Sequence, residues 1–227
     1  MKKRIVRRGM ENKTKFLVAI TQRVDYISNR DELRESLDMR LVQLVLSAGY
    51  IPVATSNSLL NFEKKDNRQC GKRLPLDDLL SMVKPDAIVL SGGNDIGQYP
   101  ERDETEKCLL DWAANHRMPV LGVCRGLQMM GVWAGGTLVH VTGHVRSRHN
   151  LVYQESASSW PESVNSYHNL ALAGCPAGFQ AIAHAEDGSI EAIRHVDLPW
   201  EGWMWHPERE IPFVDKDIKR LKALFGG

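Results

Sequence analysis

Residues 120–127, Val-Leu-Gly-Val-Cys-Arg-Gly-Leu, constrain the fold more than any other stretch of the chain. An apolar run leads into one cysteine held between two glycines, and an apolar helical pattern follows. Gly122 and Gly126 lie two residues before and after Cys124, where a Cβ would clash in a tight strand-to-helix turn. The positive end of the following helix favours a thiolate. The pattern predicts either a nucleophilic thiol or a structural cysteine buried at the end of a core strand.

Apolar runs and helical periodicities alternate along the chain. This alternation predicts an α/β fold, in which helices flank a mostly parallel, doubly wound sheet and a smaller β-rich portion follows the helix after Cys124. The carboxyl ends of parallel strands share one edge of a sheet, where ligands bind. We predict strands at 16–20, 51–54, 87–90, 120–123, 190–193 and 202–205, helices at 76–83, 103–116, 125–133 and 218–224, and a polar loop over 57–73.

A further helix is predicted near the N-terminus from apolar residues at helical spacing. Ser28 or Asn29 serves as its N-cap and Gly49 as its stop. Its apolar face is formed by Leu33, Leu37, Leu41, Leu44 and Ala48.

A thiolate nucleophile needs a base and a group that orients the base. His206 and Glu208 are two residues apart, and Pro207 between them favours extended geometry at His206, so both side chains are expected on one side of the backbone. By itself the segment is more typical of a surface turn. Together with Cys124 it predicts an imidazole held toward the thiol by a carboxylate.

A glycine pair follows the predicted strand at 87–90. Gly92 and Gly93 leave backbone N–H groups free to approach a ligand, although such a pair is also typical of a simple turn. We predict that the N–H groups of Gly93 and Arg125 form an oxyanion hole.

The order of these segments along the chain resembles that of a known family. Ser91-Gly92-Gly93-Asn94-Asp95, then Gly122 to Gln128, then His206-Pro207-Glu208 together resemble the class I glutamine amidotransferases, and more closely their peptidase C26, or γ-glutamyl-γ-aminobutyrate hydrolase, family. The resemblance covers about residues 16 to 225. It implies hydrolysis of a γ-glutamyl amide through a thioester on Cys124, with His206 as acid and base and Glu208 orienting it.

The resemblance also implies substrate contacts. Gln128 would face the glutamyl group, or else cap the elbow loop, and the segment 165–168 would hold the α-amino and α-carboxylate groups. The predicted substrate-binding residues are Arg23, Gly92, Asn94, Gln128, Asn165, Ser166, Tyr167 and His168.

Arginines near the predicted catalytic edge bear on the leaving group. Thr21-Gln22-Arg23 resembles a branch of the family that hydrolyses γ-glutamyl-CDP-amidate during capsule phosphoramidate synthesis, and Arg23, Arg146 and Arg148 are suited to phosphate. The same arginines would equally serve as ordinary solvated or ion-paired residues. Other γ-glutamyl amines such as γ-glutamyl-γ-aminobutyrate, a glutaminase subunit of an amidotransferase, and a noncatalytic binding protein remain alternatives.

Net charge, apolar runs and cysteine spacing restrict the kinds of partner and compartment that we expect for this protein. The net charge is +1 and no apolar run approaches the roughly 18 residues of a membrane span, so we expect a small-molecule γ-glutamyl substrate, no nucleic acid and no membrane. The four cysteines show no Cys-x-x-Cys spacing, which favours the reducing cytoplasm. A homodimer is compatible with these features.

The remaining expectations concern organisation and structural ions. Residues 1–15 are a basic, disordered lead or an extended start, and residues 16–227 form a single hydrolase domain. No cofactor is predicted. His140, His144 and His149 match no zinc spacing, so no metal is predicted. Arg102 and Asp103 are expected to form an ion pair that braces the elbow.

Overall fold

The computed structural model describes residues 15–59, 75–153 and 159–226. Apart from Lys15, the predicted basic lead lies outside these ranges. Most of the predicted loop at 57–73 also lies outside them, and so does Cys70.

An eight-stranded sheet forms the centre of the described chain. Its strands are β1 (Leu17–Thr21), β4 (Ile51–Thr55), β5 (Ala87–Leu90), β6 (Val120–Val123), β9 (Val152–Tyr153), β12 (Phe179–His184), β13 (Ile190–His195) and β14 (Trp200–Trp203). Their order in the sheet is β4-β1-β5-β6-β14-β13-β12-β9, parallel from β4 to β14 and antiparallel beyond.

Helices flank this sheet, and three small two-stranded sheets accompany it, which confirms the predicted fold class and the β-rich portion after the elbow helix. The paired strands are β2 (Arg23–Ile27) with β3 (Glu32–Ser36), β7 (Leu138–His140) with β11 (Leu170–Leu172), and β8 (Val145–Asn150) with β10 (Ser163–Tyr167). The helices are α1 (Met39–Ser47), α2 (Pro75–Val83), α3 (Pro100–His116), α4 (Arg125–Trp133) and α5 (Asp215–Phe225).

The predicted start of the first helix is wrong. Residues 23–36 form the β2–β3 hairpin, and α1 begins only after Asp38, whose side chain accepts a hydrogen bond from the Arg40 N–H at 2.8 Å. Asp31 adopts the left-handed conformation that the hairpin turn needs, with φ of 53°. Leu33 continued the helical spacing by coincidence, since its side chain is 65% exposed.

Candidate active site

The elbow has the predicted geometry. Cys124 lies between β6 and α4 with φ of 51° and ψ of −104°, a strained conformation for a residue with a side chain. A Cβ on Gly122 would lie 2.6 Å from the carbonyl carbon of Gly126, and one on Gly126 would lie 2.2 Å from the Leu90 oxygen. Both positions therefore require glycine, as the sequence predicted.

His206 and Glu208 meet as expected, but not on an extended strand. A short 3₁₀ turn, Pro207–Arg209, directly follows His206, and it brings His206 Nδ1 within 2.6 Å of Glu208 Oε1. Both side chains are buried. Because Nδ1 is committed to the carboxylate, Nε2 is the ring nitrogen left for chemistry. The imidazole also interacts electrostatically with Cys124.

The protonation of His206 is governed by its charged neighbours, Cys124 and Glu208. Burial by itself lowers the pKa of His206, but the charge of Cys124, its hydrogen bond and the Glu208 carboxylate outweigh burial and raise the pKa to about 10. The imidazole is therefore held as a cation next to the thiol at neutral pH. A thiolate beside an imidazolium is the active form of a cysteine nucleophile.

A buried charge network supports the elbow and the glycine loop. Arg125 binds both Asp103 and Glu106, while Arg102 binds Glu106 at 3.1 Å. The expected Arg102–Asp103 pair is therefore wrong, because Arg102 pairs with Glu106 one turn along α3 and Asp103 pairs with Arg125 of α4. Two cations face two anions, so the network is neutral overall.

The same network fixes the glycine loop. Arg102 Nη2 donates to the carbonyl oxygens of Ser91 at 2.7 Å and Gly92 at 2.9 Å. Gly93 has φ of +120°, and a Cβ on Gly92 would lie 2.7 Å from His206 Cε1. The loop therefore packs directly against the His206 imidazole.

A cavity of about 360 Å³ opens in front of Cys124 and His206. Four of the predicted substrate-binding or oxyanion residues line it, namely Arg23, Gly93, Asn94 and Tyr167. Three further lining residues were not predicted, namely Asp95, Gln98 and Arg209. Arg209 lies over the Tyr167 ring at 4.2 Å, and its place directly after Glu208 was the one sequence signal that pointed to it.

The other predicted contacts lie elsewhere in the described chain. Asn165 holds His206, accepting from its N–H at 3.0 Å and donating to its carbonyl at 2.8 Å. Ser166 donates to the His144 carbonyl oxygen, and His168 binds the Leu170 carbonyl oxygen. Gln128 Nε2 also donates to Leu170, at 2.8 Å. These buried groups are engaged within the protein rather than at the cavity wall.

The remaining polar predictions also have local partners. Asn94 binds both backbone groups of Val24 at 2.8 Å, which attaches the β2–β3 hairpin to the glycine loop. Arg148 pairs with Glu210 at 2.8 Å, and Glu210 in turn accepts from Asn165. Neither Arg146 nor Arg148 is among the residues that line the cavity.

Solved glutamine amidotransferases share this fold. A GMP synthase component from Thermoplasma acidophilum matches with a TM-score of 0.66 over 93% of both chains at 19% identity. A glutamine amidotransferase from Thermotoga maritima matches with a TM-score of 0.57 over 92% of this chain and 83% of that one at 16% identity. The architecture is that of the class I glutamine amidotransferases.

Sequence comparisons identify the family to which the chain belongs within the class I glutamine amidotransferase fold. The Peptidase C26 family model matches residues 17–208, and the chain belongs to this family of hydrolases. A glutamine amidotransferase-like protein of Lactococcus lactis is 34% identical over 61% of this chain and 73% of its own length. The γ-glutamyl-CDP-amidate hydrolase of Campylobacter jejuni is 32% identical over 61% of this chain and 69% of its own length. Within the described ranges, no helix is long and apolar enough to cross a bilayer.

Proposed function

We propose that the protein hydrolyses a γ-glutamyl amide through a γ-glutamyl thioester on Cys124. The observation that carries this proposal is the arrangement of three groups at one cavity. Cys124 sits on a strained elbow and lines the same cavity as His206, and His206 Nδ1 is 2.6 Å from the Glu208 carboxylate. This arrangement is suited to acyl transfer by a thiolate.

The reaction proceeds in two steps. Cys124 Sγ attacks the γ-carbonyl carbon, and His206 Nε2 gives its proton to the leaving nitrogen as the carbon–nitrogen bond breaks. Water then attacks the thioester, His206 takes the water proton, and glutamate leaves as the thiolate re-forms. The backbone N–H groups of Gly93 and Arg125 stabilise the oxyanion. Arg125 is suited to this because it opens α4, where N–H groups lack helical acceptors.

The favoured substrate is a γ-glutamyl-linked phosphoramidate nucleotide. Arg23 and Arg209 both line the cavity, and guanidinium groups suit phosphate oxygens. The 32% identity to the C. jejuni γ-glutamyl-CDP-amidate hydrolase points in the same direction. Arg23 also pairs with Asp25 at 2.7 Å, so a phosphate would have to share that arginine.

The substrate is tested by comparing γ-glutamyl-CDP-amidate with γ-glutamyl-γ-aminobutyrate for the native chain and Arg23→Ala. We expect Arg23→Ala to lose about 10- to 100-fold in kcat/KM for the nucleotide alone. Arg34→Ala is the matched control, because Arg34 has the same type of pair with a neighbouring acid, Glu32, in the same hairpin but does not line the cavity. Equal losses for both substrates, or better turnover of the aminobutyrate conjugate, would reject the phosphate assignment.

A glutaminase subunit is the second candidate, because the glutamine-hydrolysing GMP synthase component of Methanocaldococcus jannaschii is 28% identical over 59% of this chain. The same assay includes glutamine. Turnover of glutamine that exceeds all γ-glutamyl conjugates would favour this candidate. Failure to trap any acyl-enzyme with any of the substrates would reject thioester chemistry altogether.

A further inference from the structure

Three histidines and one glutamate converge beside the candidate active site. His144 precedes β8, His149 lies within β8, His168 lies between β10 and β11, and Glu191 lies in β13. One possible ligand atom from each lies within 4.8 Å of all the others. His144, His168 and Glu191 are 2%, 4% and 0% exposed, and His149 is half-buried.

The polar atoms that face one another in this cluster lack hydrogen-bond partners. In the part of the chain that the structure describes, this is true of His144 Nδ1, His149 Nε2, His168 Nε2 and both carboxylate oxygens of Glu191. An unsatisfied buried polar group costs about 1–3 kcal/mol, and more when it is charged. Such a concentration of unpaired atoms calls for a missing binding partner.

The outer hydrogen-bond partners of His144 and His168 determine which ring nitrogen of each imidazole faces inward. His168 Nδ1 contacts the Leu170 carbonyl oxygen at 3.0 Å, so Nδ1 carries a proton, and in the neutral ring Nε2 has a lone pair that faces inward. His144 Nε2 contacts Asp187 at 2.8 Å, which leaves its Nδ1 facing inward. A carboxylate oxygen accepts hydrogen bonds, so His144 Nε2 donates to Asp187.

The inward lone pairs of His144 and His168 thus face the carboxylate of Glu191. The distances from Glu191 Oε1 are 3.6 Å to His144 Nδ1 and 3.5 Å to His168 Nε2. Neutral imidazole nitrogens and a carboxylate repel unless a cation lies among them.

We propose that His144, His149, His168 and Glu191 bind one divalent transition-metal ion of the zinc type. Tetrahedral bonds of about 2.0–2.1 Å place neighbouring ligand atoms roughly 3.3–3.5 Å apart, and the two distances to Glu191 Oε1, 3.5 and 3.6 Å, are close to this range. Hydrogen bonds from ligating histidines to outer carboxylates and carbonyls are typical of metal sites. Four protein ligands complete the coordination, so the ion is structural.

Sequence spacing did not reveal this site because its ligands come from separate segments. His144 and His149 are near one another in the chain, but His168 and Glu191 join them only through the pairing of β8 with β10 and the position of β13. His140, the third histidine considered at first, is exposed and outside the cluster. The expectation of no metal rested on the spacing of neighbours in sequence alone.

The test is the metal content of the full chain, purified without a polyhistidine tag and dialysed against Zn²⁺. We expect about one equivalent of tightly bound Zn²⁺ and, after exchange, the visible absorption of tetrahedral Co²⁺. Glu191→Gln and His149→Ala should each weaken Zn²⁺ binding by at least about 10-fold. His140→Ala is the matched control and should bind as the native chain does.

A second measurement covers variants that fail to fold. Removal of Zn²⁺ from the native chain should lower its Tm, and added Zn²⁺ should restore the Tm, because a ligand of the folded state stabilises it. Substoichiometric Zn²⁺ in the native chain with no change in Tm would overturn the proposal. Equal binding by a folded Glu191→Gln variant would also overturn it. Neither readout depends on hydrolysis.

Discussion

At the scale of single residues, the site depends on a thiol and an imidazole that stabilise each other's charge. The elbow forces Cys124 into a positive φ, and the neighbouring glycines are small enough to let the loop and helix close around it. His206 receives its orientation from Glu208 at 2.6 Å. Under the proposed function, each of these groups contributes chemistry more than core volume, so we expect conservative changes to separate activity from stability.

The first prediction is that Cys124→Ala lowers γ-glutamyl amide hydrolysis by at least about 10³-fold, because the nucleophile is lost. Circular dichroism and Tm should remain near those of the native chain. Cys175→Ser is the control, since Cys175 is on the surface, and it should retain activity. Activity of Cys124→Ala within roughly tenfold of native would contradict the assignment of the nucleophile.

The second prediction concerns the protonation of His206. Its pKa of about 10 is raised by Cys124 and Glu208 against burial, so Cys124→Ala and Glu208→Gln should both lower it, as NMR of the ring nitrogens would measure. The folded pKa lies above the unfolded value of 6.5. The protonated ring therefore stabilises the fold fully below pH 6.5, and this contribution is lost as the pH rises toward 10. An unchanged titration in Cys124→Ala would show that the thiol does not cause the shift.

At the scale of elements, the site is assembled from loops that leave the sheet at one edge and from strands that hold these loops in place. The Gly92-Gly93 loop is bound by Arg102 of α3, and His206 is bound by Asn165 of β10. Neither Arg102 nor Asn165 lines the cavity. Under the proposed function, we therefore expect both residues to act by positioning these groups.

The third prediction is that Asn165→Ala reduces kcat by about 10- to 100-fold while KM changes little, because His206 loses two backbone hydrogen bonds. The His206 titration should also shift or broaden. If Asn165 instead contacted substrate, the substitution would mainly raise KM. Gln180→Ala, at an exposed position of β12, is the control and should change neither constant.

The fourth prediction concerns the buried network behind the elbow. Glu106 is fully buried, and its carboxylate binds Arg102 and Arg125. Glu106→Gln leaves an uncompensated buried positive charge and should cost about 3–5 kcal/mol of unfolding free energy, measured by urea denaturation. Glu104→Gln on the exposed face of the same helix should cost less than about 1 kcal/mol. Similar midpoints for the two variants would show that the network contributes little.

At the scale of the whole molecule, helix α5 packs against the central sheet, and this packing buries an acidic side chain. Helix α5 packs against β6, the strand that carries Cys124. Asp217, in the first turn of α5, is only 2% exposed. Burial, together with the nearby carboxylates of Glu210 and Glu208, raises its pKa to about 7. An ionised Asp217 therefore opposes docking of the helix.

The fifth prediction follows from the raised pKa of Asp217. Between the ordinary Asp pKa of 3.8 and the folded pKa of about 7, the folded state binds more protons than the unfolded state, so stability falls as pH rises. Asp217→Asn removes this loss and should raise the unfolding free energy at pH 8, by at most about 4 kcal/mol. At pH 4 the two chains should be similar. Thermal melts at both values would test the prediction, and a variant equally destabilised at both would contradict it.

The sequence by itself determined the elements whose cause is local. The alternation of apolar runs and helical periodicity correctly placed the strands and helices around the elbow, from residue 76 to residue 133. The steric need for glycine at positions 122 and 126 is a property of one tight turn, and the spacing of His206 and Glu208 keeps them within reach of one another. These features are decided by neighbours along the chain.

The tertiary structure decided everything that depends on distant contacts. A carboxamide or an imidazole has the same chemistry whether it meets a ligand, a backbone group or a metal, so sequence could not tell that Asn165 holds His206 or that His168 faces Glu191. The hairpin at 23–36 was missed because periodicity cannot distinguish a buried leucine from an exposed one. Only the folding of strands from both halves of the chain around one edge brings these groups together.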